Sequence, residues 1–301
     1  MRAVVKLVTA LLFASVALPS AAAINIFVCE PEWGALAQEL AGDKASIYSA
    51  TTALQDPHRI EARPSLIARV RSADLLVCTG AELEAGWLPL LLTQSGNRKI
   101  QLGSPGYFEA SQYAVKIEVP TVLDRSLGDV HASGNPHIHL DPRNIAKVAE
   151  ALSERLAQLD PQNVDAYKAR ANSFHGRWRA ALARWELQAA RLKGVPVVVY
   201  HKDMSYFLNW VGMREAGSLE PKPGLPPTPT HLADLVERMK REPAKAVIYS
   251  AYNSPRAAEF LSERAKIPSL MLPFTVGGSD KAKDLFGLFD DMIGRLLGTI
   301  K

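Results

Sequence analysis

Apolar and polar positions follow the same rhythm in two separate blocks of this chain. In the first block, the predicted strands INIFVC, KASIYSAT and ADLLVC are separated by the amphipathic patterns PEWGALAQELAG and SLIARVRSA. In the second, the predicted strands VPVVVY, KAVIYSA and PSLMLPF alternate with the helical patterns MSYFLNWVG, THLADLVERMKRE and SPRAAEFLSERAK. Apolar strands with helices between them are typical of parallel sheets covered on both faces. The pattern predicts an α/β fold with two lobes of parallel sheet flanked by helices.

A long helical segment lies between the two blocks. From Gln162 to about Lys193 no proline interrupts the chain, and apolar residues recur at helical spacing. These residues are Val164, Tyr167, Ala171, Phe174, Trp178, Leu182 and Trp185. The alternative is a pair of packed helices broken near Gly176. We expect a rigid linking helix over 161–193, between an N-terminal lobe at 24–160 and a C-terminal lobe at 194–301.

Several helix starts are predicted from capping residues. Gly103 to Asp141 contains several glycines and prolines and predicts an irregular stretch, which ends where Asp141 caps a helix that starts at Pro142. Thr230 is the expected N-cap of the helix in THLADLVERMKRE. The last helix is expected over Ala282 to Leu297.

Residues 1–23 have the pattern of a signal peptide. Arg2 and Lys6 give a positive start, the apolar run that follows is too short to span a bilayer, and the alanines Ala21 to Ala23 suit signal peptidase. An uncleaved membrane anchor is the alternative. We expect cleavage, a mature chain that begins near Ile24, and a periplasmic protein.

Composition narrows the function, and the cysteines leave two alternatives open. The net charge is +4, but the charges are interspersed without a basic block, so nucleic acid is not an expected partner. Cys29 and Cys78 each end a predicted buried strand. If those strands are neighbours, the thiols can pair in an oxidising compartment. Two buried free thiols are the alternative.

Three of the 7 histidines stand where a strand or loop should open onto a cleft. His58 lies in QDPHRIEARPS, His137 in GNPHIHLDP, and His201 directly follows the strand VPVVVY. Each alone reads as a hydrogen-bonded loop histidine. Together, neutral imidazoles are ligands that suit Zn²⁺, and three of them with one carboxylate complete a tetrahedron. The sequence therefore predicts a metal site with His58, His137 and His201.

The fourth predicted ligand is Asp280, which follows the last strand and two glycines. Its alternative role is to cap the final helix. His139 is the alternative ligand, or it orients His137 from behind. His131 is an accessory candidate in the same loop, whereas His175 and His231 are expected to have structural roles. Behind His58, either Asp56 or Glu61 is expected to accept the second ring N–H of that histidine. The alternative for Glu61 is a carboxylate at a helix start, favoured by the helix dipole.

The order of these motifs resembles a known family. D-P-H-x-x-E-x-x-P-S, then A-D-L-x-V-x-x-G-x-x-x-E-x-W-L, then N-P-H-x-x-L-D-P and a strand ending in histidine are similar to the zinc/manganese solute-binding proteins of ABC importers. The similarity runs from Ile24 to about Leu297. It implies two α/β lobes joined by a long rigid helix, with metal held between them by His58, His137 and His201. A histidine at the third of these positions resembles the zinc type.

Three segments depart from the pattern of that family. Zinc-type members often carry a long His- and acid-rich loop before N-P-H, but here the segment LDRSLGDVHASG contains only His131. The position after Ile138 is commonly tryptophan and here is His139. The last strand leads into T-V-G-G-S-D instead of a D-P-L-type segment, which affects the assignment of Asp280.

The resemblance implies a monomeric binding protein that captures Zn²⁺ as cargo and delivers it to an inner-membrane ABC permease, with no catalytic residues. A carrier of manganese or iron is the first alternative. A secreted zinc-dependent hydrolase is the second. That enzyme would need an open coordination position and a general base, and no H-E-x-x-H helix is present.

Overall fold

The computed structural model describes residues 23–124, 126, 128 and 130–300. Its N-terminal half contains β1 Ile24–Val28, α1 Pro31–Ala41, β2 Ala45–Ser49, α2 Pro64–Arg71, β3 Leu75–Cys78, α3 Leu88–Ser95, β4 Tyr107–Glu109 and α4 Pro142–Leu159. Helix α5, Val164–Ala189, follows. The C-terminal half contains β5 Pro196–Val199, α6 Ser205–Val211, β6 Arg214–Ser218, α7 Pro229–Arg241, β7 Ala246–Ser250, α8 Arg256–Ala265, β8 Ser269–Leu272 and α9 Leu285–Thr299.

The two halves are built on the same sheet topology. Each has a four-stranded, all-parallel sheet, with the order β2-β1-β3-β4 in the first and β6-β5-β7-β8 in the second. The predicted two-lobe α/β class is therefore confirmed. Because the strands of each sheet are parallel, the loops that follow them emerge at one edge, where open α/β sheets bind ligands. His58 and His201 both lie in such loops, after β2 and β5 respectively.

Helix α5 runs unbroken between the halves. A short 3₁₀ turn precedes it and another follows it, so the helical segment extends over 161–192. Gly176 is exposed and has open space around it, so it interrupts neither the backbone nor the packing. Of the seven apolar positions predicted to face the core, Val164 and Leu182 are only half-buried and the other five are buried.

One hydrophobic core joins both halves around α5. It includes Trp33 of α1, Phe174 and Trp178 of α5, Phe207 of α6 and Phe289 of α9, all almost completely buried. On each sheet, the face turned away from this shared core is covered by one smaller hydrophobic core. The shared core holds the two sheets and the long helix together as neighbours.

Several sequence predictions need correction. The irregular stretch from Gly103 contains β4, which pairs with β3, and the predictions omitted α3 and β6. Thr230 does not cap α7, because the side chain of Thr228 accepts the backbone N–H of His231. The last helix starts at Leu285 with Asp284 as its cap, three residues later than expected. Asp141 caps α4 as predicted, accepting the N–H of Arg143 at 2.9 Å.

The two cysteines form a disulfide. β1 and β3 are neighbours, and Val28 is in register with Val77, so Cys29 and Cys78 follow on adjacent strands with their Cα atoms 4.8 Å apart. The sequence left open a disulfide or two buried free thiols, and the structure has the disulfide. The predicted signal peptide lies outside the described residues except for Ala23. In the part of the chain that the structure describes, no helix has the length and apolarity needed to cross a bilayer.

Candidate metal centre

Three histidines from distant parts of the chain converge at the edge where strands of both sheets end. His58, His137 and His201 each offer a ring nitrogen, and these atoms all lie within 4.8 Å of one another. His137 and His201 are buried and His58 is half-buried. The Nε2 of His58 and the Nδ1 of His137 are buried without a hydrogen-bond partner among the described residues. Buried polar atoms normally have a partner, so these nitrogens indicate room for a ligand.

Carboxylates hold two of the three rings from behind. The Nδ1 of His58 lies 2.8 Å from Oδ1 of Asp56, which also accepts the backbone N–H of His58 at 3.0 Å. The Nδ1 of His201 lies 2.7 Å from Oε2 of Glu220. A carboxylate on one ring nitrogen fixes the tautomer and turns the other nitrogen towards a metal. Asp56 therefore has the position predicted for it, whereas Glu61 is exposed.

The loop of His137 is fixed by contacts from the C-terminal half. Asn135 accepts the backbone N–H of His137 at 3.0 Å and donates its side-chain amide to the carbonyl of Lys202 at 2.8 Å. The hydroxyl of Tyr206 donates to the carbonyl of Asn135 at 2.8 Å. Because Pro136 restricts the backbone between them, these bonds define the direction of the imidazole of His137.

The electrostatic surroundings differ between the histidines. Burial, together with the neighbouring imidazoles His58 and His201, holds the pKa of His137 well below its usual range. Burial also acts to lower the pKa of His201, but its hydrogen bond to the carboxylate of Glu220 and the charge of Asp203 outweigh burial, and the pKa is raised. His137 is therefore neutral at neutral pH, with a lone pair available, and His201 sits in a negative environment that favours a cation.

The structure does not bring Asp280 into this group. Asp280 is exposed, in a turn closed by the N–H of Gly277 donating to the carbonyl of Ala282 at 2.7 Å. The neighbouring Ser279 donates its hydroxyl to Asp291 of α9 at 2.6 Å. The alternative role of Asp280 as a helix cap is not found either, because Asp284 accepts the N–H of Gly287.

His139, the alternative ligand, is buried between Phe274 and Glu32, and its Nδ1 has no partner with hydrogen-bond geometry among the described residues. Its Nε2 lies 3.0 Å from the carbonyl oxygen of Phe274, and its Nδ1 lies 3.1 Å from Oε1 of Glu32. Both ring nitrogens therefore face protein atoms. His131 instead lies beside the group, with its ring centroid 5.4 Å from that of His58.

The two remaining histidines are away from the group of three. The Nε2 of His231 lies 2.9 Å from the carbonyl of Ser218, and His175 is on the long helix α5.

Two acidic residues near the site were missed by sequence reasoning. Glu220 follows β6, a strand that the hydropathy pattern did not reveal because it reads REAGS. Asp203 is buried and accepts the hydroxyls of Ser250 at 2.5 Å and Tyr252 at 2.9 Å. Because β6 pairs with β5, Glu220 emerges at the same sheet edge as His201. Recognising β6 as a strand would have identified Glu220 as a residue near the site.

Comparisons with known proteins agree with this geometry. The family model described as "ZnuA: Zinc-uptake complex component A periplasmic" matches residues 26–297. This chain belongs to that family. Members of the family are substrate-binding components of ABC transporters, so the protein binds a metal ion for a membrane permease outside the cytoplasm and is not an enzyme.

Individual relatives in the family differ in the metal that their names state. The "High-affinity zinc uptake system protein ZnuA" of Yersinia pestis is 26% identical over 226 residues, covering 71% of each chain. The "Manganese ABC transporter substrate-binding lipoprotein scaA" of Streptococcus gordonii is 21% identical over 274 residues, covering 88% of this chain and 84% of the relative. A solved structure, "Crystal structure of ZnuA", superposes with a TM-score of 0.78 at 19% identity, over 93% of this chain and 100% of the other.

Proposed function

We propose that this protein captures Zn²⁺ in the periplasm, as cargo, and delivers it to an inner-membrane ABC permease. The observation that carries this proposal is the convergence of ring nitrogens of His58, His137 and His201 within 4.8 Å. Among the described residues, the Nε2 of His58 and the Nδ1 of His137 have no hydrogen-bond partner. Imidazole nitrogen is a preferred ligand of Zn²⁺, whereas Mn²⁺ favours carboxylate and carbonyl oxygen. The carboxylates of Asp56 and Glu220 are already engaged by ring nitrogens, so they support the imidazoles from behind.

The localisation, the domain division and the monomeric state belong to the same proposal. A signal peptide at 1–23 would be removed on export, leaving a lobe at 24–160, the linking helix at 161–193 and a lobe at 194–301. N-terminal sequencing of the exported protein and size-exclusion chromatography test these points. An N-terminus at Met1 or an elution volume of a dimer would contradict them.

The metal preference is tested by competition titration of the purified apoprotein. The 5 tryptophans provide an intrinsic fluorescence signal for binding. Zn²⁺ should bind more tightly than Mn²⁺ or Fe²⁺, as the order of affinities for nitrogen ligands indicates. Mn²⁺ binding as tightly as Zn²⁺ would favour the manganese function that the name of the Streptococcus gordonii relative states. Elemental analysis of protein isolated from the periplasm would then identify the cargo in the cell.

Alanine substitutions test whether the three converging histidines bind the metal. His58→Ala, His137→Ala and His201→Ala should each weaken Zn²⁺ binding severely, because each removes one ligand. His175→Ala and His231→Ala are the matched controls and should bind as the wild type does. If all three site variants kept wild-type affinity, the proposed centre would be wrong.

A further inference from the structure

The segment G-x-x-x-E-x-W-L, from Gly80 to Leu88, lies outside the group of three converging histidines. It forms a run of turns between β3 and α3, at the same sheet edge as the loop that carries His58. Its two largest polar side chains, Glu84 and Trp87, are both buried. Their contacts lead directly to the backbone of His58.

Glu84 fixes the shape of this β3–α3 turn, residues 79–87. Its carboxylate accepts the backbone N–H of Thr79 at 2.7 Å and that of Gly80 at 3.0 Å. Within the turn, Glu82 has a φ of +62°, a left-handed conformation that is uncommon for a residue with a side chain. Such a backbone persists where its surroundings hold it, and the carboxylate of Glu84 supplies that restraint. Trp87, the last residue of the turn, therefore has a defined position next to α3.

Trp87 holds the loop of His58 by a buried hydrogen bond. Its indole N–H donates to the carbonyl oxygen of Pro57 at 2.9 Å. That carbonyl belongs to the peptide that joins Pro57 to His58, and because this unit is planar the bond restrains the entry into His58. Trp87 also lies in the same hydrophobic cluster as Ile60, two residues beyond the histidine.

Gly86 approaches the peptide on the other side of His58. A Cβ at this position would lie 3.2 Å from the backbone carbonyl oxygen of His58, which is a tight contact. Glycine permits this approach because it has no side chain. The β3–α3 turn therefore touches the peptides both before and after His58.

Hydrogen bonds inside the loop orient the imidazole only relative to its own backbone. Asp56 accepts the backbone N–H of His58 at 3.0 Å and lies 2.8 Å from its Nδ1, and the N–H of Arg59 donates to the carbonyl of Asp56 at 3.1 Å. Arg59 also reaches the carbonyl of Gly224 at 3.3 Å, but from an exposed side chain. The bond from Trp87 is a buried contact that positions the loop relative to the sheet.

We propose that Trp87 is a positioning residue for the metal ligand His58. Its indole N–H holds the Pro57–His58 peptide against the β3–α3 turn, so that the imidazole faces the other two histidines before an ion binds. This proposal rests on the zinc-binding function above. Without the bond, the loop has to be ordered when the ion binds, and that cost lowers the affinity.

Trp87→Phe keeps an aromatic ring and removes the indole N–H. Isothermal titration of the full mature chain with Zn²⁺ should give an affinity lower by roughly 10-fold, the lower end of the loss seen when a group that orients a metal ligand is changed. Trp185→Phe is the matched control, because Trp185 is also almost completely buried and donates its indole N–H to Asp290 at 2.6 Å. It should bind Zn²⁺ as the wild type does, although both variants lose an indole hydrogen bond.

A double-mutant cycle separates the positioning of His58 from a general loss of packing. In the His58→Ala background, Trp87→Phe should cause no further loss of Zn²⁺ affinity, because the ligand that it positions is gone. In the His137→Ala background, the loss of roughly 10-fold should persist. Equal further losses in the two backgrounds would overturn the proposal.

Gly86→Ala tests the same contact if Trp87→Phe does not fold, because residue 86 is exposed. The added methyl group presses on the carbonyl of His58 and should lower the Zn²⁺ affinity, whereas Gly176→Ala adds a methyl group in open space and should not. Wild-type affinity in Trp87→Phe, or in Gly86→Ala where Trp87→Phe does not fold, would overturn the role of Trp87 alone, provided that His58→Ala binds weakly. Wild-type affinity after alanine substitution of each converging histidine would instead overturn the proposed function.

Discussion

The Nδ1 of His201 lies 2.7 Å from Oε2 of Glu220, and both side chains are nearly buried. Glu220 also accepts the N–H of Gly224 at 2.9 Å, so its carboxylate is held in place by the loop after β6. This pair defines the orientation of one imidazole in the candidate centre and raises its basicity. It joins two strand ends of the C-terminal sheet that are 19 residues apart in the chain.

Glu220→Gln should weaken Zn²⁺ binding by about 10–100-fold, as is usual when a group that orients a ligating histidine is changed. The amide no longer offers a charged acceptor, so the imidazole of His201 becomes less basic and less firmly oriented. Isothermal titration with Zn²⁺ measures the change. Glu237→Gln, an exposed site on α7, is the matched control. Equal affinities in the two variants would contradict the role of Glu220.

Thr275→Val should destabilise the fold by roughly 1–3 kcal/mol, because it leaves a buried carboxylate without a hydrogen bond. The hydroxyl of Thr275 donates to Glu32 of α1, whose other oxygen lies 3.1 Å from Nδ1 of His139. This contact connects the segment after β8 to the N-terminal half. Urea unfolding of the apoprotein measures the effect, and Thr93→Val, at an exposed helical position, is the control. A Thr275→Val midpoint equal to that of the control would argue against the contact.

Glu84→Gln should reduce the loss of stability that accompanies rising pH. Burial raises the pKa of Glu84 to about 7. Burial and the charge of Glu84 raise the pKa of Glu30 well above its usual range. The folded state therefore holds protons that the unfolded state releases above pH 4.5, the ordinary value for a glutamate. The resulting stabilisation is complete below that pH and is lost as the pH rises through about 7.

The contribution of Glu84 is on the order of 3 kcal/mol, from its shift between 4.5 and about 7. Urea unfolding of the apoprotein at pH 5.5 and pH 8 should show a smaller difference for Glu84→Gln than for the wild type. Glu61→Gln, an exposed carboxylate, should retain the wild-type difference. If the free energy of unfolding of the wild type rose between pH 5.5 and pH 8 relative to that of Glu84→Gln, the prediction would be wrong.

Removing the disulfide by the double change Cys29→Ala and Cys78→Ala should lower the free energy of unfolding by about 4 kcal/mol, given the sequence separation of 49. The bond restricts the unfolded chain across a long loop. Thermal or urea unfolding with and without a reducing agent measures the effect. Reductant should destabilise the wild type and leave the double variant unchanged. A wild type insensitive to reductant after unfolding and refolding would contradict this contribution.

Local patterns were sufficient for the strands with the most apolar residues and for the long helix. β3 and β5 read as apolar runs because both faces of a central parallel strand are buried, and α5 was visible from its repeating aromatic residues. β4 was missed because it has only three residues, YFE, and β6 was missed because REAGS contains charged and small residues. Both are edge strands that become recognisable through their pairing with β3 and β5. The cap of α7 is Thr228 and not the predicted Thr230, because the helix starts at Pro229, earlier than the sequence pattern indicated.

The identity of the three converging histidines could be read from the chain, because each stands in a motif that places it after a strand or a rigid Asn-Pro turn. Their partners could not be read from it. Glu220 reaches His201 through the pairing of β5 with β6. Asp280 is exposed in the turn after β8, away from the three histidines. Residue type and local spacing are properties of neighbours along the chain, whereas the direction of a side chain at the cleft depends on contacts between elements that the folded core brings together.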